Sequence, residues 1–262
     1  MIYYQYDGTF EGLLTAFACA LKEKEPVENI GNVEFQADLF TEIREITTDP
    51  DLADVFFDYL KKKLSKTSLL NIGYCFLSEE TGIEKVLLHY IRLLLKQGEK
   101  VNDLLVDPAI FRIRHTCEKV DYEVLRMQGF IRFRKLRNQV YYGPIAPDHN
   151  VIQLLAPHFK ARFADQRWLI HDTRRKTGIY YNGAQVRFLP WVEMSAAVQS
   201  VMKPFQAEQE SVLLDKEELK YQQIWDQYFQ KVAITERRNK RQQRQRMPER
   251  YWRYLVENVA EY

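Results

Sequence analysis

The sequence predicts an α+β fold: a helical N-terminal half packed with an antiparallel β-sheet of about five strands, followed by a helical C-terminus. Three observations predict it. Apolar residues recur at helical spacing through most of residues 1–128. Short alternating aromatic runs separated by Gly and Asn turns follow over residues 129–190, and helical spacing returns within 191–262. These three parts are read as one domain spanning residues 1–262, a length that can bury a sizeable core. The 31 Phe and Tyr set against 10 Gly and 9 Pro exclude a disordered or low-complexity chain.

Taken in order, IYYQY (2–6) reads as a strand and DGT (7–9) as a turn in which Thr9 caps the helix FEGLLTAFACALKEK. FTEIREI supplies another strand. Asp49 before Pro50 then opens a helix whose Leu52, Val55, Phe56, Tyr59 and Leu60 repeat at amphipathic spacing. The stretch from Ser68 to Lys100 reads as two core helices broken near Thr81 and Gly82. A further helix opens at Asp107 and Pro108 and is expected to stop after Gln128, at Gly129.

After Gly129 the period changes. FIRFRKL alternates, which places Phe130, Arg132, Arg134 and Leu136 on one strand face and Ile131, Phe133 and Lys135 on the other. QVYYGPI completes a hairpin. PDHN leads into a helix through VIQLLAPHFKARF, and RWLIHDTRR, GIYYNG and AQVRFL supply three more strands, giving a sheet covered on one face. KPFQAEQESVLLDKEE reads as a linker to a helix with an apolar stripe of Leu219, Ile224, Trp225, Tyr228, Phe229 and Val232. MPERYWRYL reads as a terminal helix from Pro248 anchored by Tyr251 and Trp252, while Arg237, Arg238, Arg241, Arg244 and Arg246 are expected to line a groove beside the sheet.

The net charge of +2 conceals a segregation. Residues 1–107 hold 11 basic and 19 acidic side chains (−8), and residues 108–189 hold 15 and 6 (+9). Residues 190–230 hold 3 and 7 (−4), and residues 231–262 hold 9 and 4 (+5). Such a division marks an anionic partner or the mutual attraction of parts of one chain. Arg forks pair with phosphates, and neighbouring aromatic rings stack bases. The residues expected to hold nucleic acid are therefore Arg132 and Arg134 in the first sheet strand, Arg174 and Arg175 at a turn, and Arg237, Arg238, Arg241, Arg244 and Arg246 in the terminal block. A solvated sheet face and a tail docked on acidic helices are the structural alternatives.

For acid–base chemistry the candidates are Asp148, His149, His158, Asp165 and Asp172, a density of ionisable groups in one third of the chain. Asp148 as a helix cap and His171 as a strand residue also have structural roles open to them. Without HExxH or CxxC spacing no metal site is expected, and no cofactor is assigned. The chain has neither GxxxxGK[ST] nor GxGxxG after a strand, nor a nucleophile elbow, which disfavours phosphoryl-transfer and dinucleotide enzymes. Three widely spaced cysteines, Cys19, Cys75 and Cys117, read as reduced buried thiols. The absence of a leader-like start or a long apolar run places the expected address in the cytoplasm, with no membrane partner.

Quoted together, YDGTFEGLLTA, GYCFLSEETGIEKVLLHYIR, MQGFIRFR, PDHNVIQLLAPHFKARFADQRWLIHDTRR and ERRNKRQQRQRMPERYWRYL closely resemble a bacterial family labelled "probable DNA metabolism protein". The resemblance runs along essentially the whole chain. It implies association with a radical SAM protein that modifies or repairs DNA, and longer relatives look fused to a uracil-DNA glycosylase-like domain. The sequence up to Tyr262 is expected to lack that extension, so base excision is not carried over, and the family supplies no catalytic residues to transfer. No CxxxCxxC motif occurs, so radical chemistry would belong to the partner. The expected function is a nucleic-acid-binding accessory protein in DNA modification or repair. The alternatives are a hydrolase or base-modifying enzyme using Asp and His, and a scaffold that binds only protein.

Overall fold

The computed structural model describes residues 2–23, 27–32, 41–190, 214–232 and 239–256. The chain is α+β and divides into two compact units, Met1–Asp121 and Tyr122–Tyr262; the division falls inside the helix Pro108–Phe130.

The first unit is built on a three-stranded parallel sheet. Strand β1 (Ile2–Gln5) lies between β2 (Val27–Gly31) and β3 (Glu42–Glu45) and pairs parallel with both. A central parallel strand is covered on both faces, and Ile2, Tyr3 and Tyr4 are accordingly all buried. Helix α1 (Phe10–Lys22) makes the crossover from β1 to β2, and Thr9 caps it as expected by accepting from Gly12 N. Helices α2 (Pro50–Lys63), α3 (Lys66–Ser78) and α4 (Ile83–Gln97) follow, the first capped by Asp49 with Pro50 in its first turn. Leu13, Phe17, Leu60, Ile72, Leu87 and Ile91 form the centre of this core. Strand β2, VENIG, has no counterpart in the sequence-based expectation, because a five-residue segment with one Val and one Ile gives too short a pattern.

Helix α5 (Pro108–Phe130) runs two residues beyond its expected stop. Gly129 does not adopt the positive φ that ends a helix, and Ile131 N still donates to Met127 O at 3.2 Å. The expected strand FIRFRKL is thereby corrected. Phe130 is the last helical residue, and only β4 (Arg134–Lys135) pairs with β5 (Tyr141–Ile145). Arg132 therefore has no strand face.

The second unit's sheet has the order β4-β5-β6-β7-β8, with β6 at Trp168–Asp172, β7 at Thr177–Tyr181 and β8 at Val186–Leu189. It is mixed rather than antiparallel: β5 and β6 run parallel, Tyr141 opposite Trp168 through Ile145 opposite Asp172, while the other pairs are antiparallel. The reason is helix α6 (Ile152–Arg162), which returns the chain to the end of the sheet at which β5 began. All five residues of β6 are buried, so both sheet faces are covered rather than one. Trp168 packs against Phe159 of α6 and against Tyr181, at ring separations of 6.3 and 5.4 Å. Burying that indole contributes on the order of 2–3 kcal/mol. On the other face Leu136, Tyr142 and Leu169 meet Leu214, which forms an isolated bridge to Leu136.

Helix α7 (Glu218–Val232) and the short helix α8 (Lys240–Arg246) complete the second unit, together with a 3-10 helix, Glu249–Tyr254. The latter replaces the expected terminal α-helix. Tyr251 and Leu255 are buried there, while Trp252 is only half-buried. Much of the expected linker before Leu214 lies outside the described residues.

Candidate nucleic-acid interface

Asp172 ends β6 and organises the turn into β7. Its carboxylate is fully buried, and Oδ1 accepts from the backbone N–H groups of Arg174 (2.9 Å) and Arg175 (3.1 Å). Oδ2 accepts from Arg175 Nη1 at 2.8 Å. The Arg175 guanidinium also donates to the carbonyls of Pro147 and Asp148, and Arg174 Nη1 donates to Asp148 O. Arg175 is thus part of the scaffold, only 10 % exposed, whereas Arg174 remains at the surface.

The loop held in this way continues the network. Asp148 does not cap α6, whose N-cap is Val151; its carboxylate pairs with Arg250 of the 3-10 helix, and its N–H donates to Glu123 Oε1 at 2.8 Å. Glu123, itself buried, also accepts from Tyr251 Oη at 2.6 Å. Burial and then that carboxylate push the Tyr251 hydroxyl well above its usual range. His158 lies edge-on to Phe159, and Asp165 is exposed. Among the described residues no hydrogen bond or ion pair joins those two to the Asp148–Asp172 network. His149 is half-buried beside Asp148 in sequence.

A second polar pair lies on the Leu169 side of the sheet. Tyr142 Oη and His171 Nδ1 share a hydrogen bond of 2.9 Å, and both side chains are buried. Burial drives the His171 ring down to about 4, so it is neutral at pH 7, and its Nε2 finds no hydrogen-bond partner among the described residues. Arg134 stands opposite Tyr142 in the strand register, and burial lowers its basicity.

Between helix α7 and the segment after α5 opens a cleft of about 670 Å³. Phe133, Tyr221, Trp225 and Tyr228 supply aromatic walls, Ile224 and Val256 add aliphatic surface, and Arg132 brings a guanidinium. Glu218 and Gln222 are its other polar lining, joined by a 3.0 Å hydrogen bond. Phe133 is fixed by edge-on contacts with Phe159 and Phe163, and Gly143 lets it lie close: a Cβ there would fall 3.1 Å from the Phe133 ring. The three α7 rings sit at i, i+4 and i+7, one face of a helix, and are 62, 41 and 56 % exposed. Trp225 and Tyr228 have ring centres 5.7 Å apart. The expected α7 stripe contains Trp225 and Tyr228 but omits Tyr221, which the same spacing counted one turn earlier would have found.

Among the predicted nucleic-acid residues, Arg241, Arg244 and Arg246 lie exposed on α8, with Arg244 paired to Glu249 at 2.6 Å. Arg132 donates to Gly129 O. Arg237 and Arg238 lie outside the described residues. Residues 122–262 carry 24 Lys and Arg against 15 Asp and Glu, net +9, while residues 1–121 carry 14 against 21, net −7. Among the described residues no group of three or more His, Cys, Asp or Glu is placed to hold a metal ion, and no helix is long and apolar enough to cross a membrane.

A family model described as a domain of unknown function (DUF4130) matches residues 81–257, which takes in α4, α5 and all the described elements of the second unit. A search of the curated proteins finds no match.

Proposed function

The chain belongs to the DUF4130 family, and we propose that within it this protein binds nucleic acid through its second unit, as an accessory to DNA modification or repair. The observation that supports this reading is the net charge of +9 on residues 122–262, displayed by guanidinium groups at the surface such as Arg174, Arg241 and Arg246. A polyanion is the partner such a surface attracts, and release of its counterions supplies affinity without sequence preference. The finer assignment to DNA, beside a radical SAM protein, draws on the resemblance of the MQGFIRFR and RQRMPERYW blocks. The CxxxCxxC motif that this partnership requires would lie in the partner.

Binding to labelled DNA across a salt series tests the proposal. If about six phosphates are contacted on a duplex, log K falls against log salt with a slope of roughly −5. Changing Arg241, Arg244 and Arg246 to Gln makes the slope shallower by about three and leaves thermal stability within about 0.5 kcal/mol, as expected for exposed side chains. No binding at low salt would remove the proposal and favour a protein-only scaffold. Pull-down of the radical SAM protein from the native host tests the partnership separately.

A further inference from the structure

We infer that the aromatic cleft beside α7 is a stacking site for unpaired bases, so that the nucleic acid held by this chain is single-stranded. The inference rests on the nucleic-acid reading and narrows it to one substrate class.

Four rings converge on the cleft, and three of them belong to a single helix face that stays substantially exposed. Aromatic rings offer flat faces that any base can cover, whichever its hydrogen-bonding edge. A cleft of about 670 Å³ lies within the size range of small-ligand sites and admits flat groups of base dimensions. The charges lining the cleft, Arg132 and Glu218, balance, and it is the +9 of the unit around them that favours a polyanionic occupant over an apolar peptide. Arg132 stands at the cleft to meet a phosphate, while Glu218 disfavours phosphate at its own position and so leaves bases, not backbone, to cover the α7 rings. A duplex cannot use these rings without unstacking, because its base faces are already covered.

Phe133 shows that the site is built rather than incidental. The ring is held edge-on by Phe159 and Phe163 and lies over Gly143, where a side chain would displace it. One wall is therefore fixed by the end of α6 and by β5, while the α7 rings form the other.

The test uses the full chain with a fluorescent twelve-nucleotide oligo-dT and a twelve-base-pair duplex, each titrated at 50 mM salt and followed by anisotropy. The wild-type protein is expected to bind oligo-dT more tightly than the duplex. Trp225→Ala with Tyr228→Ala should weaken oligo-dT binding at least tenfold, consistent with the usual loss per stacked base, and weaken duplex binding much less. Trp225→Phe, which keeps a ring, should recover most of the loss. Both side chains are exposed, so unchanged melting temperatures verify that the variants fold. If the duplex binds as tightly as oligo-dT, or the double variant binds oligo-dT like wild type, the cleft is not a base-stacking site although the nucleic-acid reading survives on its basic residues. If neither probe binds wild type, both readings fall. A concentration-dependent dimer that the double variant abolishes, without oligonucleotide binding, would assign the cleft to a second copy and overturn the inference.

Discussion

In the first unit the carboxylate of Glu99 gathers four neutral donors: Ser65 N, Ser65 Oγ and Ser68 Oγ at 2.7 Å each, and Asn102 Nδ2 at 2.9 Å. In the second unit the buried carboxylate of Asp172 is closed instead by the Arg175 guanidinium, and Asp148 is met by Arg250. Glu99, half-buried in a net-acidic unit, has its charge met by dipoles. Burial alone would raise its carboxyl, but the hydrogen bonds from Ser65, Ser68 and Asn102 outweigh that and hold it below the ordinary range. The basic unit uses part of its positive charge internally, so the arginines available to a ligand are fewer than its composition suggests. Arg174 and Arg175 are neighbours in sequence, yet one faces solvent and the other holds the turn.

The sharpest way to break this comparison is Asp172→Asn. The substitution leaves the Arg175 guanidinium buried without its counter-charge and should cost about 3–5 kcal/mol, read as a lower urea midpoint. A loss below about 1 kcal/mol would mean that the ion pair is not what closes the turn.

Next comes His171, whose unpaired Nε2 makes it sensitive to acid. Its folded pKa of about 4 lies below the unfolded value of about 6.5, so the folded state binds fewer protons. Stability that is complete above about pH 6.5 is lost as pH falls toward 4, by roughly 3 kcal/mol in all. His171→Gln should flatten that part of the stability–pH curve, and an unchanged curve would show that the ring titrates normally.

The smallest effect is expected at Glu99. Glu99→Gln keeps the shape but turns an NH₂ group toward donors, and should cost about 2 kcal/mol at pH 7. Because the folded carboxyl is held low, the difference from wild type should shrink as pH falls through the carboxylate range. Persistence of the full difference under acid would mean that the donors do not distinguish the ionised form.

Much of the helical architecture was legible because it depends on local signals: Thr9 and Asp49 cap where expected, and the break between α3 and α4 falls at Thr81 and Gly82. The sheet was less legible. A mixed sheet differs from an antiparallel one in strand direction, which alternation within each strand does not encode, and the α6 crossover was read without the parallel pairing it imposes. Gly129 shows a related limit, since the residue permits a helix stop without requiring one. At the site, the paired roles of Asp148 with Arg250 and of Glu123 with Tyr251 join positions more than one hundred residues apart, and local spacing holds no trace of them. The aromatic face of α7 was visible in part, because it lies within one helix.

The bond from Tyr251 to Glu123 also orders events during synthesis. Glu123 leaves the ribosome early, on a helix whose first residues belong to the first unit, whereas its phenolic partner follows 128 residues later. Until then that carboxylate keeps its water, and the Asp148 loop lacks the Arg250 side chain that it meets in the finished fold. The first unit is free of this delay, because its core is assembled from residues 2–117. Vectorial synthesis therefore finishes the acidic unit first and leaves the basic unit without its 3-10 helix meanwhile, the interval in which a chaperone has most to protect.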